Sequence, residues 1–173
     1  RIGAMWALSG PGAFFGKSSH GLASLAIDEI NEAGGLVVGG KRVKMQLYAE
    51  DDACNPEQGL AVVRRLATVD KVLFSLGPSC SSVAEPVFGT LQKRLDDPGD
   101  TGLQLLFFTD TATKFGLAKL SAWVFRNTPD EPAMYDFVVK YLKENYPDLK
   151  TVMVAYESDF AHSASTWKLA LQP

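Results

Sequence analysis

Four short apolar runs alternate with helix-like stretches over the first 120 residues, and small turn residues mark most of the junctions. This alternation limits the fold more than any other feature. Two parallel strands cannot be joined by a tight turn, so they need a crossover, which is usually a helix. A repeated strand–helix order with short connections therefore predicts a parallel sheet covered on both faces. Its crossovers should be right-handed.

The first run, "RIGAMWAL", ends at "SGPG" and reads as a buried strand, with Trp6 in the core. "SSHGLASLAIDEINEAGG" reads as a helix. Leu22, Leu25, Ala26 and Ile30 recur on one side, Ser18 or Ser19 caps the start, and Gly34-Gly35 ends it. A Gly39-Gly40 turn precedes a strand with Val43, Met45, Leu47 and Ala49 on one face. Asn55 then caps a helix with Pro56 at its first position, Gln58 three residues after the cap, and Leu60, Val63, Leu66 and Ala67 on its apolar side. "KVLFSLG" is a third strand, "SSVAEPVFGTLQKRL" a helix, "DDPGDTG" a loop and "LQLLFFTD" a fourth strand.

Beyond Gly116 the texture changes. "LSAWVFRNTPDEPAM" reads as an extended crossing segment, "PAMYDFVVKYLKENYPD" as a helix, "LKTVMVAYESD" as a strand and "AHSASTWKLALQP" as a further helix. The organisation expected is a ligand-binding lobe over 1–120, then a crossing segment and partial second lobe over 121–173. One strand with two helices does not close a core of its own, so the chain reads as part of a longer protein.

Composition excludes several classes. The net charge is −3, which is not the basic footprint of a nucleic-acid binder. No apolar run reaches the roughly 18 residues of a membrane span. Arg1 leads directly into an apolar strand, so any export signal is expected to have been removed. The two histidines, His20 and His162, have no metal-ligand spacing with the cysteines, and His20 is expected at the surface. Asp51 and Asp52 are adjacent, a poor arrangement for an acid–base pair. No nucleophile, base and orienter can be assembled, so no enzyme, metal or cofactor is expected.

In an open parallel sheet, ligands bind beyond the carboxyl ends of the strands. Those ends carry "SGPGAFFG", "EDDAC", "GPSCSS", "TDTATK" and "ESDFAH". "GPSCSS" opens a helix, where unpaired amides favour an anion, although serines there also serve as plain caps. Ser79 and Ser81 are the candidates on this loop and Thr111 and Thr113 on the next. Phe14 and Phe15, and Phe160 on the later loop, either cover a ligand or fold back into the core. Count alone leaves Cys54 and Cys80 open between buried free thiols and a bridge.

"SGPGAFFG", "LAIDEINEAGG", "DDACNPEQGLAVVRRL" and "LGPSCSS" together resemble the type I periplasmic binding proteins of the branched-chain amino-acid transport family. The likeness is strongest from Ile2 to Ser82, and "VAYESDFAHS" extends it weakly. It implies two α/β lobes of doubly wound parallel sheet that close on a ligand, the second lobe being incomplete here. It implies a disulfide between Cys54 and Cys80 and hence a periplasmic setting. Ser81, with the adjoining amides and Ser79, would hold a carboxylate; Thr113 would donate to the ligand; the Thr111 carbonyl would face an ammonium; Phe15 and Phe160 would cover the ligand. The implied partners are a small amino acid or aromatic carboxylate and the membrane permease of an ATP-driven importer, with the binding protein a monomer. A ligand-sensing receptor domain is the alternative. "TDTAT" departs from the Ser-Pro loop usual in the family, which keeps an aromatic acid open as ligand.

Overall fold

A computed structural model describes residues 1–158 and 160–171. Its main sheet contains β1 (Ile2–Trp6), β4 (Leu47–Asp51), β5 (Phe74–Leu76), β6 (Leu106–Thr109) and β7 (Val124–Arg126), in the order β4-β1-β5-β6-β7. Every neighbouring pair is parallel. The chain passes from β1 outward to β4 and then back across to β5. The strand order therefore reverses between β1 and β5, and a crevice opens beyond their carboxyl ends. The fifth strand, β7, comes from the segment read as a crossing connection, and it extends the first sheet beside β6.

Helices cover both faces. Met5 belongs to the core formed with α2 (Pro56–Arg65) and α3 (Ser81–Gly89), whereas the next residue, Trp6, meets His20 of α1 (Ala13–Glu32) edge-on at 5.9 Å. Successive strand side chains point to opposite faces, so α1 lies opposite α2 and α3. The core centres on Val63, Leu66, Val83, Val87, Phe88, Leu105 and Phe107, all essentially without solvent contact. The rings of Phe88 and Phe107 lie 5.4 Å apart.

Local chemistry explains the element ends. The Asn55 side chain accepts from the Gln58 amide at 3.0 Å, a cap worth about 1 kcal/mol. The reciprocal half of a capping box is absent: Asn55 N–H donates to the Asp52 carbonyl, and the Gln58 side chain donates to the Asp51 carbonyl. Gly77, at φ +84°, places its backbone where a Cβ would stand 2.0 Å from the Met5 carbonyl oxygen. Only glycine permits both that conformation and that approach.

Five sequence expectations need correction. The helix α1 starts at Ala13, not near Ser18, so Phe14 and Phe15 lie in its first turn rather than in a loop. Ser18 instead donates back to the Phe14 carbonyl, and Ser19 donates to Asp110. The buried stripe of α1 is also rotated. Gly16 and Ile27 are buried while Leu22, Leu25 and Ala26 are exposed, because Gly16 must sit against the Ala7 backbone, where no side chain fits.

The strand drawn through Val43, Met45, Leu47 and Ala49 is two elements. Residues 41–43 form β3, paired antiparallel with β2 (Leu36–Val38), and β4 begins only at Leu47. Asn31 separates them by gripping both the amide and the carbonyl of Met45. The third helix ends at Gly89, short of "TLQKRL", where Leu91 makes an isolated bridge to Leu103. Residues 149–158 form no strand: among the described residues no ladder pairs with them, and 151–158 are exposed. A strand without a neighbour leaves its amides and carbonyls to water and gains no cross-strand packing.

The last described elements are α4 (Glu131–Asn145), capped by Asp130, and α5 (Ala161–Thr166), which runs into a π-helical turn over Trp167–Leu171. The end of the helix expected there, Gln172 and Pro173, lies outside the described residues. No described helix is long and apolar enough to cross a membrane.

Candidate functional site

Three loops converge beyond the strand ends. Cys54, after β4, is disulfide-bonded to Cys80, after β5, with the Cα atoms 5.6 Å apart. The bridge closes a separation of 26 residues, which corresponds to about 3–4 kcal/mol in the chain-entropy treatment. Cys80 is also the N-cap of α3, and its carbonyl accepts from the amides of Val83 and Ala84. Those bonds leave the first amides of the helix, on Ser81 and Ser82, pointing outward at its positive end. The disulfide therefore fastens the tip of α3 to the turn after β4, on the far side of β1.

The hydroxyl of Ser79 is buried and has no partner among the described residues. A buried hydroxyl without a bond costs free energy, and a ligand oxygen would remove that cost. Ser81 is also buried, and its Oγ accepts from the Lys114 amide at 3.3 Å. The next loop is tied to this one by two threonines. Thr109 donates to the Pro78 carbonyl at 2.8 Å, and Thr111 donates to the Ser79 carbonyl at 3.0 Å. Thr113 is buried, and its Oγ1 lies 3.0 Å from His162 Nδ1.

Hydrogen bonds thus join Thr111 to Ser79 and Lys114, the residue after Thr113, to Ser81. Phe160 caps α5 and stands edge-on to His162 with ring centres 6.5 Å apart. Phe15 is half-exposed in the first turn of α1 and packs edge-on against Phe14, so neither ring folds into the core. Gly12, the N-cap of that helix, comes close enough to Cys80 that a Cβ there would lie 3.0 Å from its sulfur.

Two carboxyls border the same strand ends. Asp51 loses hydration by burial, but the Ser9 hydroxyl and the amides of Ala53, Leu8 and Ser9 together hold it below its ordinary value. Asp52 is pushed up to about 6, first by burial and then by the Asp51 and Asp110 carboxylates, against one amide bond from Cys54. They are not an acid–base pair: Asp51 ties the β1 loop to β4, and Asp52 props the turn that carries Cys54. No set of three or more potential ligands among the described residues could hold a metal ion.

Sequence reasoning missed Glu131 altogether and, for a His162 that follows a strand-end loop, favoured a surface or capping place over one bordering the cleft. Glu131 is fully buried, and its Oε1 lies 2.7 Å from His162 Nδ1. The two are 31 positions apart, and nothing in the local pattern of either signals the contact. Arg126 was also overlooked: it donates to the Thr113 and Lys114 carbonyls and pairs with Asp130. A separate open groove, lined by Val139, Leu142, Tyr146 and Leu149 among others, shares no residue with the strand-end loops.

Comparison with known proteins fits this arrangement. A family model described as "Periplasmic binding protein" matches residues 1–170. The Leu/Ile/Val-binding protein BraC3 of Rhizobium johnstonii is 31% identical over 156 residues, covering 88% of this chain and 38% of that protein. The branched-chain amino acid transporter substrate-binding protein LivJ of Streptococcus pneumoniae, solved with isoleucine, superposes with a TM-score of 0.68 at 25% identity, covering 83% of this chain and 38% of that one. A solute-binding protein of an ABC transporter from Rhodopseudomonas palustris, solved with 3,4-dihydroxybenzoic acid, superposes with a TM-score of 0.74 at 18% identity, covering 96% and 41%. The chain thus spans about two fifths of the length of these relatives. It belongs to the periplasmic binding proteins, in the type I group that includes the branched-chain amino-acid binders.

Proposed function

We propose that the protein is the solute-binding component of an ATP-driven importer and that it takes up a small hydrophobic amino acid between two lobes without chemical turnover. The first lobe, about residues 1–120, supplies the fixed half of the site. The amides at the tip of α3, with the hydroxyls of Ser79 and Ser81, receive the carboxylate; Thr113 donates a further bond; the Thr111 carbonyl accepts from the ammonium; Phe15 covers the side chain. Phe160 closes over the ligand from the segment 121–173. The closed form is then read by a membrane permease. The setting is periplasmic, in keeping with the disulfide. The protein acts as a monomer.

One observation carries this reading: a buried Ser79 hydroxyl, without a partner among the described residues, beside the first amides of α3, at the point where the strand order reverses. An aromatic carboxylate is the second reading. It uses the same oxygen grip, and the exposed Phe14–Phe15 pair favours it. A thermal-shift screen of the full-length protein against leucine, isoleucine, valine and hydroxybenzoates tests both. A true ligand at a hundred times its Kd stabilises by about 2.7 kcal/mol. Ser81→Ala should weaken every hit by about tenfold. Unchanged binding in that variant contradicts the assigned grip, and turnover of a bound acid contradicts the non-enzymatic role.

A further inference from the structure

We propose that Glu131 and His162 form a positioning pair that fixes the polarity of the Thr113 hydroxyl, keeping its hydrogen available for the oxygen of a bound carboxylate; this rests on the ligand reading above. Glu131 is the first residue of α4, with its side chain fully buried. The helix N-terminus favours a carboxylate there. Its Oε1 lies 2.7 Å from His162 Nδ1, and its Oε2 has no partner among the described residues. Its backbone amide donates to the Thr113 carbonyl at 3.2 Å. Glu131 therefore touches Thr113 twice, once directly and once through the imidazole.

The hydrogen count then decides the direction of the last bond. In this proposal Glu131 is the carboxylate, which only accepts, so the hydrogen between Glu131 and His162 sits on Nδ1. A protonated Nδ1 has no lone pair to offer. Thr113 Oγ1, 3.0 Å from the same nitrogen, can only accept from it, and the Thr113 hydrogen must point elsewhere. The adjacent Lys114 amide reaches Ser81 Oγ, which places Thr113 beside the tip of α3.

The other charged groups nearby do not compete for Glu131. Arg126 is engaged with Asp130 and with the Thr113 and Lys114 carbonyls, and the Lys114 ammonium with Glu85. Without Glu131 the imidazole could carry its hydrogen on Nε2. Thr113 would then donate to Nδ1, and the ligand would lose that donor.

The test uses the full-length protein. In nitrogen-resolved imidazole spectra of the ligand-free protein, the His162 signal, assigned by its loss in His162→Asn, should show a protonated Nδ1. An unprotonated Nδ1 overturns the proposal whatever the ligand is. Calorimetric titration with leucine and with 4-hydroxybenzoate supplies the second readout. His162→Ala should weaken binding of the acid that binds by about tenfold. His162→Asn, whose side-chain N–H stands in for Nδ1–H, should stay within about threefold of the parent. Thr113→Val should weaken binding at least as much as His162→Ala does, because it removes the donor itself, and adding His162→Ala to it should cost nothing further, because the pair acts only through that hydroxyl. If the parent binds and His162→Ala binds equally well, the pair has no role while the ligand reading stands. If the parent binds neither acid, the ligand reading fails, and the imidazole spectrum alone decides how Thr113 is held.

Discussion

The run "IGAMW" and the run "TVMVAY" are alike in length and apolar character, yet only the first becomes a strand. Residues 2–6 lie between β4 and β5 and are buried throughout. Residues 151–156 have no ladder among the described residues, and Met153 is 92% exposed. The difference teaches that an apolar run becomes a strand only where other strands stand ready beside it. Burial on two faces and pairing on two edges come from the neighbours, not from the run itself.

The comparison can be broken most directly by one truncation in each region. Phe107→Ala should cost about 3–5 kcal/mol in urea denaturation, since the ring is fully buried against Phe88. Val154→Ala in the same chain should change stability by less than about 0.5 kcal/mol. Equal losses at the two positions would mean that the second region carries a core comparable with the first.

The disulfide sharpens the same contrast. Replacing Cys54 and Cys80 together by serine should cost about 3–4 kcal/mol, all of it in the unit built on the main sheet. Hydrogen exchange should quicken around α3 and leave α4 unchanged. Faster exchange in α4 as well would show that the two regions unfold together.

The next effect is pH-dependent. Asp52 titrates at about 6 in the fold, above its value in the unfolded chain, so between about pH 4 and 6 the folded state binds more protons. Stability should therefore fall as pH rises through that window and stay level beyond it. Asp52→Asn should stabilise the protein by about 1–3 kcal/mol at pH 8 and by almost nothing at pH 4. A variant that is equally stabilised at both pH values would show that Asp52 carries no buried charge. A smaller loss follows from removing the α2 cap: Asn55→Ala should lower stability by about 1 kcal/mol, read as a shift in the urea midpoint.

Much of the first unit was legible because its signals are local. The strand β1 announces itself by an apolar run closed by "SGPG", and α2 by the Asn55-Pro56 start. The start of α1 was not legible. "GPGAFFG" has the composition of a loop, and only the fit of Gly16 against Ala7 shows why a helix runs through it. The break between β3 and β4 depends on Asn31, whose bonds to Met45 cross 14 positions.

The site divides in the same way. The tip of α3 could be read from "GPSCSS", because helix starts leave amides unpaired wherever they occur. Pairing Cys54 with Cys80 required a family resemblance, since spacing does not fix connectivity. The contact of Glu131 with His162 joins the start of one helix to another across an intervening segment, and no periodicity in either stretch encodes it.

The central claim is that the outward amides of α3 grip an anionic ligand. It is tested most directly by titrating the full-length protein with leucine and 4-hydroxybenzoate while following backbone amide resonances. Large, saturating shifts at Ser81 and Ser82, lost in Ser81→Ala, are the result predicted. Shifts confined to the groove around Val139 and Leu149, with Ser81 and Ser82 unmoved, would contradict it.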